Sequence, residues 1–337
     1  MGHTPPVYRD ASSAGSAAAS ALASLSCDVG FISDHSTPPH VMVAREIDRL
    51  QDPQLSTLYW NIFDRMRGDY EVGGFLPHSA WIANRVRQAL AATSIDISPT
   101  RFAAAIAFFD DVNQVMFEQQ TLAWLAGSEF TLHLYGAGWE NHPTFSPYAR
   151  GAIENDSTRL AIYRASRINL HAGAYGVVRQ PLIDTITTGG FVLMRYCPAD
   201  LIERFYPPIW EFCSSLQIGS NEELAELATP GVRSLLAFAG RTIGLDILNQ
   251  WPDFVAHVNK SADRAYTSSA ATLWAQYPAV AFSTRDELIG LISKYLYDVP
   301  ERQRLAEEMR RQLTTRFAHI RVARRAVAIP DPTEVAA

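Results

Sequence analysis

Cysteine is scarce: Cys27, Cys197 and Cys213 are the only thiols in a chain of 337 residues. An odd number without metal-ligand spacing excludes a disulfide framework and a zinc cluster, and it points to a reducing compartment in which the three are buried thiols. Lysine is scarcer still, with only Lys260 and Lys294 among 29 basic side chains. Any anion site must therefore rely on arginine, backbone amides or helix ends. Positive charge is also in deficit, 29 basic against 35 acidic side chains for a net charge of -6. That balance leaves no footprint for a phosphate backbone, so no nucleic acid is expected as a partner. Apolar runs stay well below the roughly 20 residues that span a bilayer, so no integral membrane segment is expected. The small-residue stretch 11–26 lacks a preceding basic cluster, and serines break its apolar centre, unlike a signal peptide. These absences together predict a cytoplasmic protein.

What is present suits a globular chain, 47% hydrophobic and 11% aromatic. Its length fits two domains of roughly 100 to 200 residues each. Residues 1–30, rich in Ala and Ser, fit either a helix or a disordered leader. Residues 27–32 (CDVGFI) form a possible strand. Over 41–92 the spacing is helical, with Val43, Ile47 and Leu50, then Trp81, Ile82, Val86 and Leu90, interrupted by a loop at Gly73, Gly74 and Pro77. The continuous apolar run 102–109 (FAAAIAFF) reads as a buried parallel strand that ends at Asp110 and Asp111. A helix over 114–125 and a strand over 130–135 (FTLHLY) complete a βαβ unit in a parallel sheet. The alternation continues with a helix at 160–165, a strand at 168–170, a helix at 180–187 and a strand at 191–194. After a helical insertion over about 197–276 come a short strand at 280–282 and two amphipathic helices. Leu288, Ile289, Ile292 and Leu296 line one, and Leu305, Met309 and Leu313 line the other.

Two glycine-rich loops carry the sharpest chemical signals. Gly136 and Gly138, with Trp139 behind them, follow the LHLY strand. Glycines there permit positive φ and let a ligand approach the main chain, although a plain tight turn has the same appearance. Gly173, Tyr175 and Gly176 precede a helix with Pro181 in its first turn, and Gly189 and Gly190 follow that helix. A loop that enters a helix presents free N–H groups to a phosphate. Asp184, one turn in, is either a partner of the helix dipole or an acceptor for sugar hydroxyls. His171, at the end of a strand, either binds a leaving phosphate or caps the strand. His35, His40 and His78 are either bases for an acceptor hydroxyl or, more simply, structural histidines, since nothing else in the sequence fixes their geometry. Trp124, Tyr135, Trp139 and Tyr175 are either stacking platforms or core residues.

The segments 130–140 (FTLHLYGAGWE), 163–170 (YRASRINL), 182–194 (LIDTITTGGFVLM) and 282–311 resemble the C-terminal domain of GT-B glycosyltransferases, in particular the CgeB-like, spore-maturation-protein-like group. The resemblance covers about 102–196 and 280–326. It implies an α/β, GT-B-like fold: a C-terminal Rossmann-like parallel sheet over 99–337 with the helical insertion, after a reduced, mostly helical acceptor domain over 1–98. It implies an enzyme that moves a sugar from a nucleotide-diphosphate donor to an unknown acceptor, with no cofactor and no obligatory metal. By the same resemblance Gly136 and Gly138 lie beside the donor, and Gly173, Tyr175 and Gly176 line the diphosphate; Trp139 and His171 are added to the donor site by their positions next to these loops. Asp184 stands where the family often has a Glu that holds the ribose, and Gly189 and Gly190 close the helix on the sheet. An acidic residue expected at position 176 in many retaining relatives is Gly176 here. With no lysine nearby, Arg164, Arg167 or Arg179 would neutralise the diphosphate. The alternative is a non-catalytic protein that keeps the nucleotide-binding half and binds a partner. A dinucleotide oxidoreductase fits less well, because the pattern is GAG after a second strand rather than an opening GxGxxG.

Overall fold

A computed structural model of the chain describes residues 24–71, 79–174, 179–196, 220, 222–223 and 274–326. Residues 1–23 of the expected leader, the loop at 73–77, His78, Tyr175, Gly176 and nearly all of the expected insertion lie outside the described residues, whereas residues 27–30 of that leader belong to the first strand.

Strand β1 (Cys27–Ile32) is followed by four helices, α1 (Pro39–Leu50), α2 (Pro53–Glu71), α3 (Ser79–Thr93) and α4 (Pro99–Ala123), before β2 (Leu132–Tyr135). Then come α5 (Asp156–Ala165), β3 (Ser166–His171), α6 (Gln180–Thr187), β4 (Val192–Arg195), α7 (Tyr277–Val280), β5 (Ala281–Phe282), α8 (Arg285–Tyr297) and α9 (Val299–Ala326). The strands form one parallel sheet of order β2-β1-β3-β4-β5. In the register, Val29 of β1 faces Leu132 of β2 on one side and Ile168 of β3 on the other. β2 and β4 are buried along their whole length, as a parallel sheet covered on both faces requires.

The run 102–109 is helical rather than a strand. Ser98 accepts a hydrogen bond from the backbone N–H of Arg101, and Pro99 occupies the first turn, so the helix starts before the run begins. Four of its eight residues are alanine, a strong helix former that is depleted from strands. Ala105 and Phe109 lie on the buried side at an interval of four, and the helix runs on without a break to Ala123. The first strand of the sheet is therefore β1, and α1–α4 together form its long crossover to β2.

Two apolar cores result. One joins the sheet to α6, α8 and α9 through Val29, Leu134, Ile168, Leu193, Ile292 and Met309. The other packs α1–α4 together through Val43, Leu58, Ile62, Val86 and Phe109. The C-terminal end of α4 joins the first core through Leu122, while its N-terminal half belongs to the second. Sheet and helical layer are thus built from residues on both sides of position 98. Leu305, Met309 and Leu313 are buried as their spacing predicts, as are Leu288 and Ile292. No described helix is long and apolar enough to cross a membrane.

Helix α8 opens with a capping box: Thr284 accepts from the N–H of Glu287, and the Glu287 carboxylate accepts from the N–H groups of Ser283 at 2.6 Å and Thr284 at 3.2 Å. Thr284→Ala is expected to cost about 1 kcal/mol, read as a lower urea midpoint at unchanged slope.

Candidate functional site

In a parallel sheet the loops that leave the carboxyl ends of the strands share one edge, and the crevice falls where the strand order reverses. Here β1 is followed in sequence by β2 on one side, whereas β3, β4 and β5 add outward on the other. The reversal lies between β1 and β3. The edge there is made by Ser33–Thr37 after β1, Ala172–Ala174 after β3, and the start of α6 at Gln180.

The β2 loop supports this edge from one side. Gly136 has φ 131° and Gly138 φ 90°, as the tight turn requires. The N–H of Ala137 donates to Asp34 Oδ1 at 3.1 Å, Ser36 Oγ donates to the Ala137 carbonyl at 2.7 Å, and the Trp139 indole donates to the Ser33 carbonyl at 2.6 Å. A Cβ on Gly136 would meet the Ser33 carbonyl oxygen at 2.1 Å, and one on Gly138 would meet Ser36 Oγ at 2.3 Å. The glycines let two loops touch. Trp139, expected beside a donor, is instead fully buried against His142 and Phe145. Tyr135 is buried too, and its hydroxyl is pushed up to about 12 by burial. Trp124 packs on Phe282 and under the Arg195 guanidinium, so its role is in the core.

On the crevice side, sequence reading missed the central residues. Glu118 of α4 is buried, and its Oε2 accepts from Ser33 Oγ at 2.7 Å and from His35 Nδ1 at 3.0 Å. Its Oε1 accepts from the Gln114 amide. Gln114 Oε1 in turn accepts from the N–H of Ala174 at 2.9 Å and from Arg179 Nη2 at 3.3 Å. One hydrogen-bonded chain therefore links the β1 loop, α4, the β3 loop and the start of α6. Beside it, Gln119 donates to the carbonyls of His35 and Thr37 at 2.9 and 3.1 Å. Gln119 is held by His142, whose Nδ1 accepts from two backbone N–H groups, so that its Nε2–H faces Gln119 Oε1 at 3.3 Å. Gln114 and Glu118 fall on the helix expected over 114–125, one turn apart with Val115, Met116 and Phe117 between them. Nothing local marks them out from the neighbouring Asn113, Gln119 and Gln120, because their partners lie in the β1 and β3 loops.

The two histidines of the crevice are shifted in opposite directions. The Glu118 carboxylate beside His35 holds its imidazole above the ordinary histidine range, against the opposing pull of burial, and Arg179 and Asp111 add smaller effects of opposite sign. His171 is pushed down to about 4 by burial. Thr185 Oγ1 spends its proton on the Pro181 carbonyl at 2.8 Å, so His171 donates Nε2–H to it at 3.2 Å as a neutral ring. His171 thus fastens β3 to α6.

Of the three candidate arginines, only Arg179 stands at this edge. Arg164 lies in the last turn of α5 and Arg167 pairs with Asp28 at 2.9 Å, both beside the amino end of β3. Gly173 is buried at the edge, directly after β3. Asp184, partly exposed, accepts from Gln180 within α6 at 2.6 Å. Gly189 and Gly190 do not share the edge, because they lead into the amino end of β4. Their N–H groups close the end of α6 on the Ile186 and Thr185 carbonyls at 3.1 and 2.9 Å. A Cβ on Gly190 would meet Thr185, Asn169 and Tyr163 within 2.9 Å. His40 is exposed at the start of α1 and makes none of the hydrogen bonds of the Glu118 chain. Among the described residues no cluster of His, Cys, Asp and Glu could hold a metal ion. The crevice therefore offers an imidazole backed by a carboxylate, a guanidinium and the start of a helix. Comparison of the chain with protein-family models, with curated proteins and with solved structures gave no match.

Proposed function

We propose that the chain transfers a sugar from a nucleotide-diphosphate donor to an acceptor hydroxyl at the carboxyl edge of the sheet, as a cytoplasmic enzyme of GT-B type. The observation that carries the reading is the coincidence of the strand-order reversal between β1 and β3 with the polar cluster His35–Glu118–Gln114–Arg179. A diphosphate in this crevice is met by Arg179 and the first turn of α6, and the buried Gly173 keeps the main chain close to the ligand. Asp184 accepts hydrogen bonds from the ribose or sugar, exchanging its Gln180 partner for a hydroxyl. Tyr175 and Gly176 complete the loop by the family resemblance. Charge on the departing diphosphate is stabilised by arginine and backbone N–H groups. The free, buried Cys27 thiol accords with a reducing compartment.

The test is a thermal-shift screen of the full chain against UDP, GDP, ADP and CMP and their sugar derivatives, followed by measurement of nucleotide release. A rise in melting temperature with one nucleotide class, and turnover of its sugar conjugate, is the expected result. Binding without turnover would favour a non-catalytic nucleotide-binding protein, and no shift with any nucleotide would remove the reading. Asp184→Asn is expected to weaken nucleotide binding about tenfold, the loss of one charge-assisted hydrogen bond, while moving the melting temperature by under about 2 °C. A larger effect on melting than on binding would take Asp184 out of the site.

A further inference from the structure

The proposed function uses His35 and Glu118 to locate the crevice but gives neither a contact with the donor, and their geometry is that of an oriented imidazole. Glu118 side-chain exposure is 7% against 43% for His35, so the carboxylate is the fixed partner and the ring the accessible one. Glu118 is held by two further donors, Ser33 Oγ and the Gln114 amide, and so cannot turn away. The Ser33 hydroxyl also accepts the N–H of His35 at 3.1 Å, and Gln119 holds the His35 carbonyl. Both the backbone and Nδ1 of His35 are thus set, while Nε2 has no hydrogen-bond partner among the described residues.

The charges around it point to an anion. His35 and Glu118 cancel as a pair. Arg179, joined to them through neutral Gln114, makes no ion pair among the described residues, so its positive charge is left over at the mouth of the crevice. Asp111 on α4 is exposed and acts on His35 only at a distance, and Asp34 on the β1 loop is engaged by the N–H of Ala137.

We infer that His35 is a ligand-binding residue of this crevice: Glu118 fixes its Nδ1 so that Nε2–H is presented to a diphosphate, with Arg179 as the second cation. The identity of the ligand rests on the proposed function; the pairing of His35 with Arg179 does not. Glu118 is a positioning residue, because it touches the imidazole and not the ligand. The consequence is that capture of the anion depends on a proton. The imidazolium binds below its own titration point and loses its charge above it, and the carboxylate beside it moves that point upward.

The experiment is calorimetric titration of the full chain with inorganic pyrophosphate between pH 6 and 9, together with NMR of the histidine ring nitrogens. For the wild type, affinity corrected for the ionisation of pyrophosphate itself, which also titrates in this range, should fall about tenfold as pH rises through the His35 titration, which lies above the ordinary histidine value. His35→Gln keeps a neutral donor, so it should bind several-fold more weakly at pH 6, approach the wild type at pH 9 and show a flat corrected profile. Glu118→Gln should move the midpoint to lower pH, and the ring-nitrogen shifts of His35 should follow. Should Glu118→Gln fail to fold, His35→Gln, at a half-exposed position, still decides. A wild-type profile retained in His35→Gln, or no binding of pyrophosphate to the wild type, would overturn the inference. Pyrophosphate binding with a His35-dependent profile but no turnover of any nucleotide sugar would remove glycosyl transfer and leave the inference standing. Turnover with a flat pyrophosphate profile would do the reverse.

Discussion

Gly136→Ala is expected to lower stability by about 3 kcal/mol. Two costs combine. At φ 131° an L-residue is strained, at about 1–3 kcal/mol. The new Cβ would also fall 2.1 Å from the Ser33 carbonyl oxygen, a backbone atom that cannot rotate aside. Relief requires the β1 and β2 loops to part, with loss of the Ala137–Asp34 and Trp139–Ser33 hydrogen bonds. Gly189→Ala is the control: at φ 85° it carries the conformational cost, but its Cβ meets nothing within 4 Å, so about 1 kcal/mol is expected. Urea unfolding of the two variants separates collision from strain. Equal midpoints would show that the loops are not pressed together at Gly136. Because Ser33 lies on the moved backbone and anchors Glu118, a folded Gly136→Ala chain should also weaken pyrophosphate binding through His35.

Most of the sheet was legible because strands β1 to β5 are short apolar runs, several bounded by glycine or by polar residues, and the α8 and α9 periodicities name their buried faces directly. The misread element was α4. A strand and a fully buried helix both show a continuous apolar run, and periodicity alone does not divide them. The cap at Ser98-Pro99 and the alanine content do, because they act on the backbone rather than on burial. That one reading displaced the site. With 102–109 taken as a strand, Asp110 and Asp111 become its carboxyl end and 27–32 falls to a separate domain over 1–98, so the Ser33–His35 loop is not set against Glu118. The glycines were located correctly, but their reason was not legible. Positive φ at Gly136 and Gly138 serves contact with residues about 100 positions earlier, which no local pattern encodes. Gly190 is likewise explained by Tyr163 and Asn169, which a Cβ there would meet at 2.9 Å.

Arg195 closes β4 in a sequence position that looks like any surface arginine after an apolar strand, yet it is 1% exposed. Its Nη1 donates to the Phe117 carbonyl at 2.6 Å and to Thr121 Oγ1 at 3.0 Å, and its Nη2 donates to Gln120 Oε1 at 2.6 Å. The guanidinium lies 3.8 Å from the Phe117 ring centroid and 4.3 Å from that of Trp124. A planar fork between two aromatic faces is a geometry that lysine cannot reproduce. Arg195→Ala should therefore cost about 3–5 kcal/mol, the sum of a large cavity and abandoned acceptors. Arg195→Lys keeps the charge but loses the fork and the stacking, and a loss of about 2–3 kcal/mol is expected. Arg195→Met fills most of the volume with apolar atoms. It leaves the Phe117 carbonyl still bonded by Thr121 Oγ1 at 2.8 Å, so about 1–2 kcal/mol is expected. The order Ala, then Lys, then Met, measured by urea denaturation, would assign the stabilisation to packing and satisfied acceptors rather than to charge. A lysine variant more stable than the methionine one would reverse that assignment. Phe117, Gln120 and Thr121 flank Glu118 on α4, so Arg195 sets the seating of that helix on the sheet. Each variant that folds is accordingly expected to shift the His35 titration toward that of Glu118→Gln, in the same order as its loss of stability.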